Sequence, residues 1–360
     1  MTVSLEMTSH KSSTQVNRIE QSPERKLAID AENVSVTYDD GTEAVQGISL
    51  DVAEGEFFGF LGPNGAGKTT TIRTLVTLLY PTEGSVQING YDTKTEPQAV
   101  RKSIGYMAQE TSIDLELTPR ENLRIACEMY GVPSDERNER IESLLDLVDL
   151  QDVADKRAET FSGGMQKRLD TATVLVHRPP VVFLDEPTTG LDPEARLRVW
   201  DYFEEINDKG TTVFLTTQYL EEADRLCDRL AVLEDGQIIA EGTPDSLKAT
   251  IETETLIVGL AQPSDHQKRR AIETVSGIQA LNDATVESTP SGLAVYTDDA
   301  SGTAPSVFEA LTEADITIRT FDIESPTLDD VFLSLTETVE GTEIGNQTDR
   351  MGTSKLEVSR

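Results

Sequence analysis

The chain has 360 residues, with 65 acidic against 31 basic side chains, a formal charge of −34 and 37% hydrophobic residues. That length allows two or three domains with a sizeable core, and a field of that sign disfavours nucleic acid as a partner. Only 11 of the basic residues are Lys, so the surface reads as one adapted to concentrated salt, where screening removes self-repulsion; an ordinary acidic cytosolic protein is the alternative.

Taken in order, the first 26 residues are rich in Ser, Thr, Gln and charge and carry no apolar h-region, which predicts a disordered arm and no signal peptide. Val34, Val36 and Tyr38 alternate with polar neighbours, as do stretches over 48–52 and 86–88, predicting strands of a half-exposed antiparallel layer. Tyr38 closes the first of these, either as an edge aromatic or as a ring stacked on a base. An apolar strand over 56–61 then runs into Gly62-Pro63-Asn64-Gly65-Ala66-Gly67-Lys68-Thr69-Thr70, which fits G-x-x-x-x-G-K-[ST] at every fixed position. Glycines let successive backbone N–H groups face one anion, and a helix opening near Lys68 offers its positive end to the same phosphates. In such a cradle Lys68 is expected to reach the β- and γ-phosphates, and the Thr69 hydroxyl can ligate Mg²⁺. A plain strand-to-helix turn is the bland reading, which the register of strand, loop and helix disfavours.

A short strand over 103–107 leads to Gln109. Amphipathic helices over about 120–130 and 135–150 follow, the second with Ile141, Leu144, Leu145 and Val148 on one face, and they belong to a helical insertion over about 110–175. Phe161-Ser162-Gly163-Gly164-Met165 opens another helix, whose N-terminus is either primed for an anion or capped by an ordinary turn. The apolar run from Pro180 ends in Asp185 and Glu186, the pattern of a buried parallel strand with functional residues at its C-terminal edge. Asp185 suits Mg²⁺ and Glu186 suits an attacking water; two solvated strand-end acids are the alternative. Another buried strand over 211–217 ends at Gln218, and Asp235-Gly236 between apolar runs predicts a hairpin over 229–240. Cys127 and Cys227 sit in apolar helix-like contexts as buried free thiols of a reducing compartment, the three histidines are too scattered for zinc, and no run approaches 18 apolar residues.

Together these stretches resemble the nucleotide-binding subunit of an ABC transporter, with six motifs in family order and spacing over about 27–247. They are the A-loop aromatic Tyr38, the Walker A loop 62–70, the Q-loop Gln109, the signature Ser162-Gly163-Gly164, Walker B with Asp185 and Glu186, and the D-loop Asp192. Thr216-Thr217-Gln218-Tyr219-Leu220-Glu221-Glu222-Ala223-Asp224 and Pro326-Thr327-Leu328-Asp329-Asp330-Val331-Phe332-Leu333 are similar to the daunorubicin-resistance type of exporter ATPase, extending the likeness to about residue 336. Two positions depart from the broader family: Phe161 and Met165 flank the signature where Leu and Gln are usual, and Gln218 replaces the switch histidine.

The resemblance implies an α/β P-loop NTPase with a RecA-like core, an antiparallel β layer and a helical subdomain, followed by a small α+β domain. It implies a homodimer paired head to tail, ATP lying on Walker A of one copy under Ser162 and Gly164 of the other, with Gly163 and Asp192 also among the nucleotide-binding residues. Lys68, Gln109, Glu186 and Gln218 are then the catalytic set, and Thr69, Gln109 and Asp185 the Mg²⁺ set. A separate transmembrane permease docks beside Gln109, placing the chain in the cytoplasm on the inner face of the cell membrane. Over 252–336, alternating strands and helix-like stretches suggest a small α+β accessory domain of ferredoxin-like kind, and 337–360 reads as a disordered tail. A soluble ABC ATPase without a membrane partner is the competing function; a nucleotide sensor without turnover is disfavoured by intact Lys68, Asp185 and Glu186. The transported substrate is not legible, because the permease selects it.

Overall fold

The computed structural model describes residues 26–251, 253–278, 281 and 284–335. The expected arm, apart from Lys26, and the expected tail lie outside them.

Strands β1 (Leu27–Thr37) and β2 (Glu43–Ala53) pair antiparallel, with Ala31 opposite Leu50 and Val34 opposite Ile48. β3 (Phe57–Leu61) leads into helix α1 (Lys68–Leu75), after which β4 (Glu83–Ile88) and the two-residue β5 (Tyr91–Asp92) complete a four-stranded sheet in the order β2-β1-β4-β5. Helix α2 (Pro97–Ser103) precedes β6 (Ile104–Met107). Helices α3 (Pro119–Met129), α4 (Arg137–Leu147) and α5 (Gly163–Val174) form the helical part. Thr118 opens α3 with a capping box to Glu121, and Pro119 follows at the first helical position, where its missing N–H costs nothing.

The chain then alternates β7 (Val181–Asp185), α6 (Pro193–Asp208), β8 (Thr212–Thr217), α7 (Leu220–Leu226), β9 (Arg229–Glu234), β10 (Gln237–Gly242) and α8 (Pro244–Lys248). A six-stranded sheet results, in the order β10-β9-β3-β8-β7-β6, parallel except for the β9–β10 hairpin. Asp235 and Gly236 make its two-residue turn at φ +45° and +78°, the paired left-handed geometry that matches strand twist. Successive side chains of the central strands go to opposite faces. Phe57, Leu61, Val182, Leu184, Val213 and Leu215 join the core on the helical side. Phe58, Phe60, Val181, Phe183 and Phe214 join the core shared with the antiparallel sheet, where Phe214 lies 5.6 Å from each of the other three rings. Burial on both faces explains why these strands read as continuous apolar runs.

Beyond residue 253 the order is β11 (Glu254–Leu260), α9 (Asp265–Ser276), β12 (Thr285–Ser288), β13 (Gly292–Thr297), α10 (Ala300–Glu313) and β14 (Ile318–Glu324). The sheet is antiparallel in the order β12-β13-β11-β14, the split β-α-β topology, over its own core of Leu256, Val258, Leu293, Val295, Val307 and Leu311. Strand β12 carries no signal in the sequence because it is short, at the sheet edge and mostly exposed. Helix α10 tolerates Pro305 in its second turn. Residues 328–335 form a last helix, and its Leu328 and Val331 are buried in the cassette core with Leu247, not in the core of the C-terminal sheet.

Candidate nucleotide site

The residues singled out by sequence converge in two groups. The first gathers where β3, β7 and β8 end at the C-terminal edge of the parallel sheet. The loop after β3 is tied down on both sides: the Gly62 N–H donates to Thr217 O at 3.3 Å, and the Gly236 N–H of the β9–β10 turn donates to Ala66 O at 3.0 Å. Gly67, the residue before α1, sits at φ +104°, and a Cβ there would stand 2.4 Å from Ala44 O, so only glycine closes this loop. The first N–H groups of α1 have no partner within the helix, which leaves them free for an anion.

Lys68, 4% exposed at the side chain, donates to Gly62 O at 2.8 Å and Pro63 O at 3.0 Å, and its Nζ lies 3.3 Å from Glu186 Oε1. Glu186 follows the last residue of β7 with φ +48°, a conformation costing a non-glycine residue roughly 1–3 kcal/mol. Thr216 holds it there, accepting from the Glu186 N–H at its carbonyl (3.0 Å) and at Oγ1 (3.2 Å). The Gln109 amide donates to Glu186 Oε2 at 3.1 Å, which brings Gln109, Lys68 and Glu186 into one cluster. Asp185 accepts from Thr216 Oγ1 at 2.6 Å and from Thr69 Oγ1 at 3.5 Å. Burial pushes its carboxyl above the ordinary 3.8, opposed by the Thr216 hydrogen bond, with the adjacent Glu186 charge adding to the rise. Tyr38, 37% exposed, bonds through its hydroxyl to Thr70 Oγ1 at 3.0 Å, so the ring stands over the start of α1 and not on a distant sheet edge. Gln218 follows β8 half-buried, in a turn closed by the Tyr219 N–H donating to Thr217 Oγ1 at 2.9 Å.

The second group lies at the N-termini of α5 and α6. Ser162 Oγ accepts from the Met165 N–H at 3.3 Å and Asp192 Oδ1 from the Ala195 N–H at 2.8 Å, each capping its helix. Gly164 packs so closely on α6 that a Cβ would stand 2.8 Å from that of Ala195, and Gly163 lies against Leu191. Among the described residues no hydrogen bond joins this group to the loop around Lys68. The link between them is indirect: Lys167 on α5 donates to Gln109 O at 2.7 Å, and the buried Asp170 accepts from Ser112 Oγ at 2.5 Å. Burial raises the Asp170 carboxyl above its usual range, and Ser112 pulls it back. Lys167, Asp170 and Thr216 escaped sequence reasoning because each falls inside an otherwise regular helix or strand.

A phosphate-cradling loop, a strand ending in two carboxylates and an antiparallel sheet on a mixed α/β core define a P-loop ATPase cassette. A family profile described as "ABC transporter" matches residues 45–189, and one described as "ATP-binding protein DrrA1-3-like, C-terminal domain" matches residues 242–336. The chain is 41% identical over 296 residues to the daunorubicin/doxorubicin resistance ATP-binding protein DrrA of Streptomyces peucetius, covering 82% of this chain and 88% of the relative. It is 38% identical to the doxorubicin resistance ATP-binding protein DrrA of Mycobacterium tuberculosis (86% and 94% covered) and 42% identical to the Nod factor export ATP-binding protein I of a Rhizobium species (62% and 73% covered). Among solved structures, an ATP-binding subunit of an ABC transporter superposes with TM-score 0.56 at 30% identity, covering 62% of this chain and 92% of that one. A dimeric ATP-binding cassette in a post-hydrolysis state, bound to ADP and Pi, superposes with TM-score 0.55 at 28% identity over 60% and 98%. The chain belongs to the ABC transporter ATP-binding proteins of the DrrA type, and it is an ATP-binding ATPase.

Proposed function

We propose that the chain is the motor of an exporter, coupling ATP hydrolysis to transport by a separate membrane subunit. The observation that carries this is the convergence of Lys68, Gln109 and Glu186 within hydrogen-bonding or ion-pair distance beside the 62–70 loop. Lys68, hydrogen-bonded to two loop carbonyls and paired with Glu186, is the group that exchanges those partners for the β- and γ-phosphates. Glu186 accepts the proton of the attacking water, Gln218 supplies a donor toward the γ-phosphate, and Tyr38 stacks on the base. The hydroxyl of Thr69 and the carboxyl of Asp185 lie 3.5 Å apart, and with Gln109, which donates to the adjacent Glu186, they would hold an Mg²⁺ between protein and phosphates. That ion would neutralise charge developing on the phosphates.

Ser162, Gly163, Gly164 and Asp192 sit together but apart from the loop, which fits them to the ATP of a second copy in a head-to-tail homodimer. Such an isologous pair closes on itself. Similarity to drug-resistance and Nod-factor export proteins supports export as the direction and leaves the cargo to the permease. No helix among the described residues is long and apolar enough to cross a membrane, in keeping with a chain held at the inner membrane face through its partner. The −34 charge supports a salt-adapted host and argues against nucleic acid as partner. Affinity purification from detergent extracts tests the membrane partner. Recovery of a polytopic membrane protein whose addition stimulates ATP turnover is expected; recovery of the chain alone, with turnover unaffected by membranes, supports the soluble-ATPase alternative.

A further inference from the structure

Glu222 on α7 is fully buried, and its position joins three segments of the site. Its Oε1 accepts from Thr188 Oγ1 and from Trp200 Nε1, both at 2.8 Å. Burial raises the Glu222 carboxyl above its usual range, and the neighbouring Thr217 hydroxyl pulls it back. Thr188 is two residues past Glu186, and its carbonyl accepts from the Leu191 N–H at 3.2 Å, so it begins the segment that delivers Asp192 to the head of α6. Thr217 immediately precedes Gln218; its Oγ1 closes the turn around Gln218 and its carbonyl receives the Gly62 N–H of the phosphate loop. Trp200 lies on α6, completely enclosed.

The second oxygen, Oε2, is buried with no hydrogen-bond partner among the described residues, and so is Nε of Arg196, whose charge bears on Glu222 from α6. The Arg196 guanidinium lies 4.4 Å from the ring of Tyr219, the residue after Gln218. A carboxyl in an apolar core is costly unless its bonds hold something in place. An aliphatic side chain would fill the same volume without that cost, so packing gives no account of an acid here.

We infer that Glu222 is a positioning residue for hydrolysis, fixing through Thr188 and Thr217 the register between the segment after Glu186 and the turn bearing Gln218. Its carboxyl touches no substrate; it acts by keeping Glu186, Gln218 and Gly62 mutually aligned from behind. Arg196 on α6 supplies a positive charge that bears on the same carboxyl. This inference rests on the catalytic assignment of Glu186 and Gln218 above.

The experiment measures kcat, KM and ATP affinity for full-length wild type, Glu222→Gln, Glu222→Ala, Thr188→Val and, as control, Glu186→Gln, with thermal melts to normalise for folded protein. Glu222→Gln keeps an acceptor for Thr188 and Trp200 and should stay within about threefold of wild type in kcat. Glu222→Ala and Thr188→Val should lose kcat by up to roughly 100-fold, as misplacement of about 1 Å does, with ATP affinity within about threefold. Thr188→Val, isosteric at the hydroxyl, reads the network even if Glu222→Ala does not fold. Wild-type kcat in Thr188→Val, or equal losses of kcat and affinity in all three variants, overturns the inference while Glu186→Gln remains inactive. Full turnover in Glu186→Gln overturns the catalytic assignment itself.

Discussion

The returning helix at 328–335 packs into the cassette core, and its removal should be felt there. Leu328 and Val331 are 3% and 2% exposed and belong to the cassette core, separate from the cluster under the C-terminal sheet. Burying a Leu or Val contributes about 1.5–3 kcal/mol, so Leu328→Ala with Val331→Ala should cost the cassette roughly 3–6 kcal/mol. Against a domain stability of about 5–15 kcal/mol this is a large fraction, and at 2–4 °C per kcal/mol it shifts Tm on the order of 10 °C. Calorimetry resolves it, because two cores predict two transitions and ATP marks the cassette's by raising it. The double variant should lower the ATP-sensitive transition and leave ATP binding intact; Val307→Ala, in the other core, should lower the other. An unchanged ATP-sensitive transition in the double variant would refute the reasoning, since the helix would then belong energetically to the accessory domain.

Gln218 should supply a donor toward the γ-phosphate without titrating near pH 6.5. Gln218→Ala is expected to lose about 10²–10³ in kcat, and Gln218→His to stay active while gaining a pH-dependent limb near roughly pH 6.5; equal kcat in wild type and Gln218→Ala at saturating Mg-ATP would move the switch elsewhere. The acidic surface should make Tm rise between about 0.1 M and molar KCl as screening relieves a −34 charge, whereas a flat curve leaves an ordinary acidic protein.

How legible the fold was depended on periodicity and on turn chemistry. The central strands declared themselves because both faces are buried, which makes Val181 to Leu184 and Val213 to Leu215 continuous apolar runs. The hairpin followed from Asp235-Gly236, whose left-handed pair few other dipeptides adopt. The phosphate loop was readable because Gly67 and its neighbours are dictated by backbone geometry and not by packing. What stayed hidden was set by contacts between distant segments. Thr216 looks like any strand threonine until its hydroxyl is found on Asp185, and Glu222 like a solvated acid in Leu220-Glu221-Glu222-Ala223 until Trp200 and Thr188 close over it. Likewise the 326–333 stretch could be matched to a family but not placed, since its docking depends on where β14 leaves the chain.

The proposed function makes Glu186, held at positive φ by Thr216 and paired with Lys68, the base for ATP hydrolysis in a two-copy site. Steady-state turnover of Glu186→Gln, measured alongside its mass by light scattering in Mg-ATP, tests this directly. An amide can hold the water but cannot take its proton, so turnover should fall about 10²–10⁴-fold while the variant accumulates as an ATP-bound dimer. Wild-type turnover in a Glu186→Gln protein that stays monomeric with ATP would contradict Glu186 as the base.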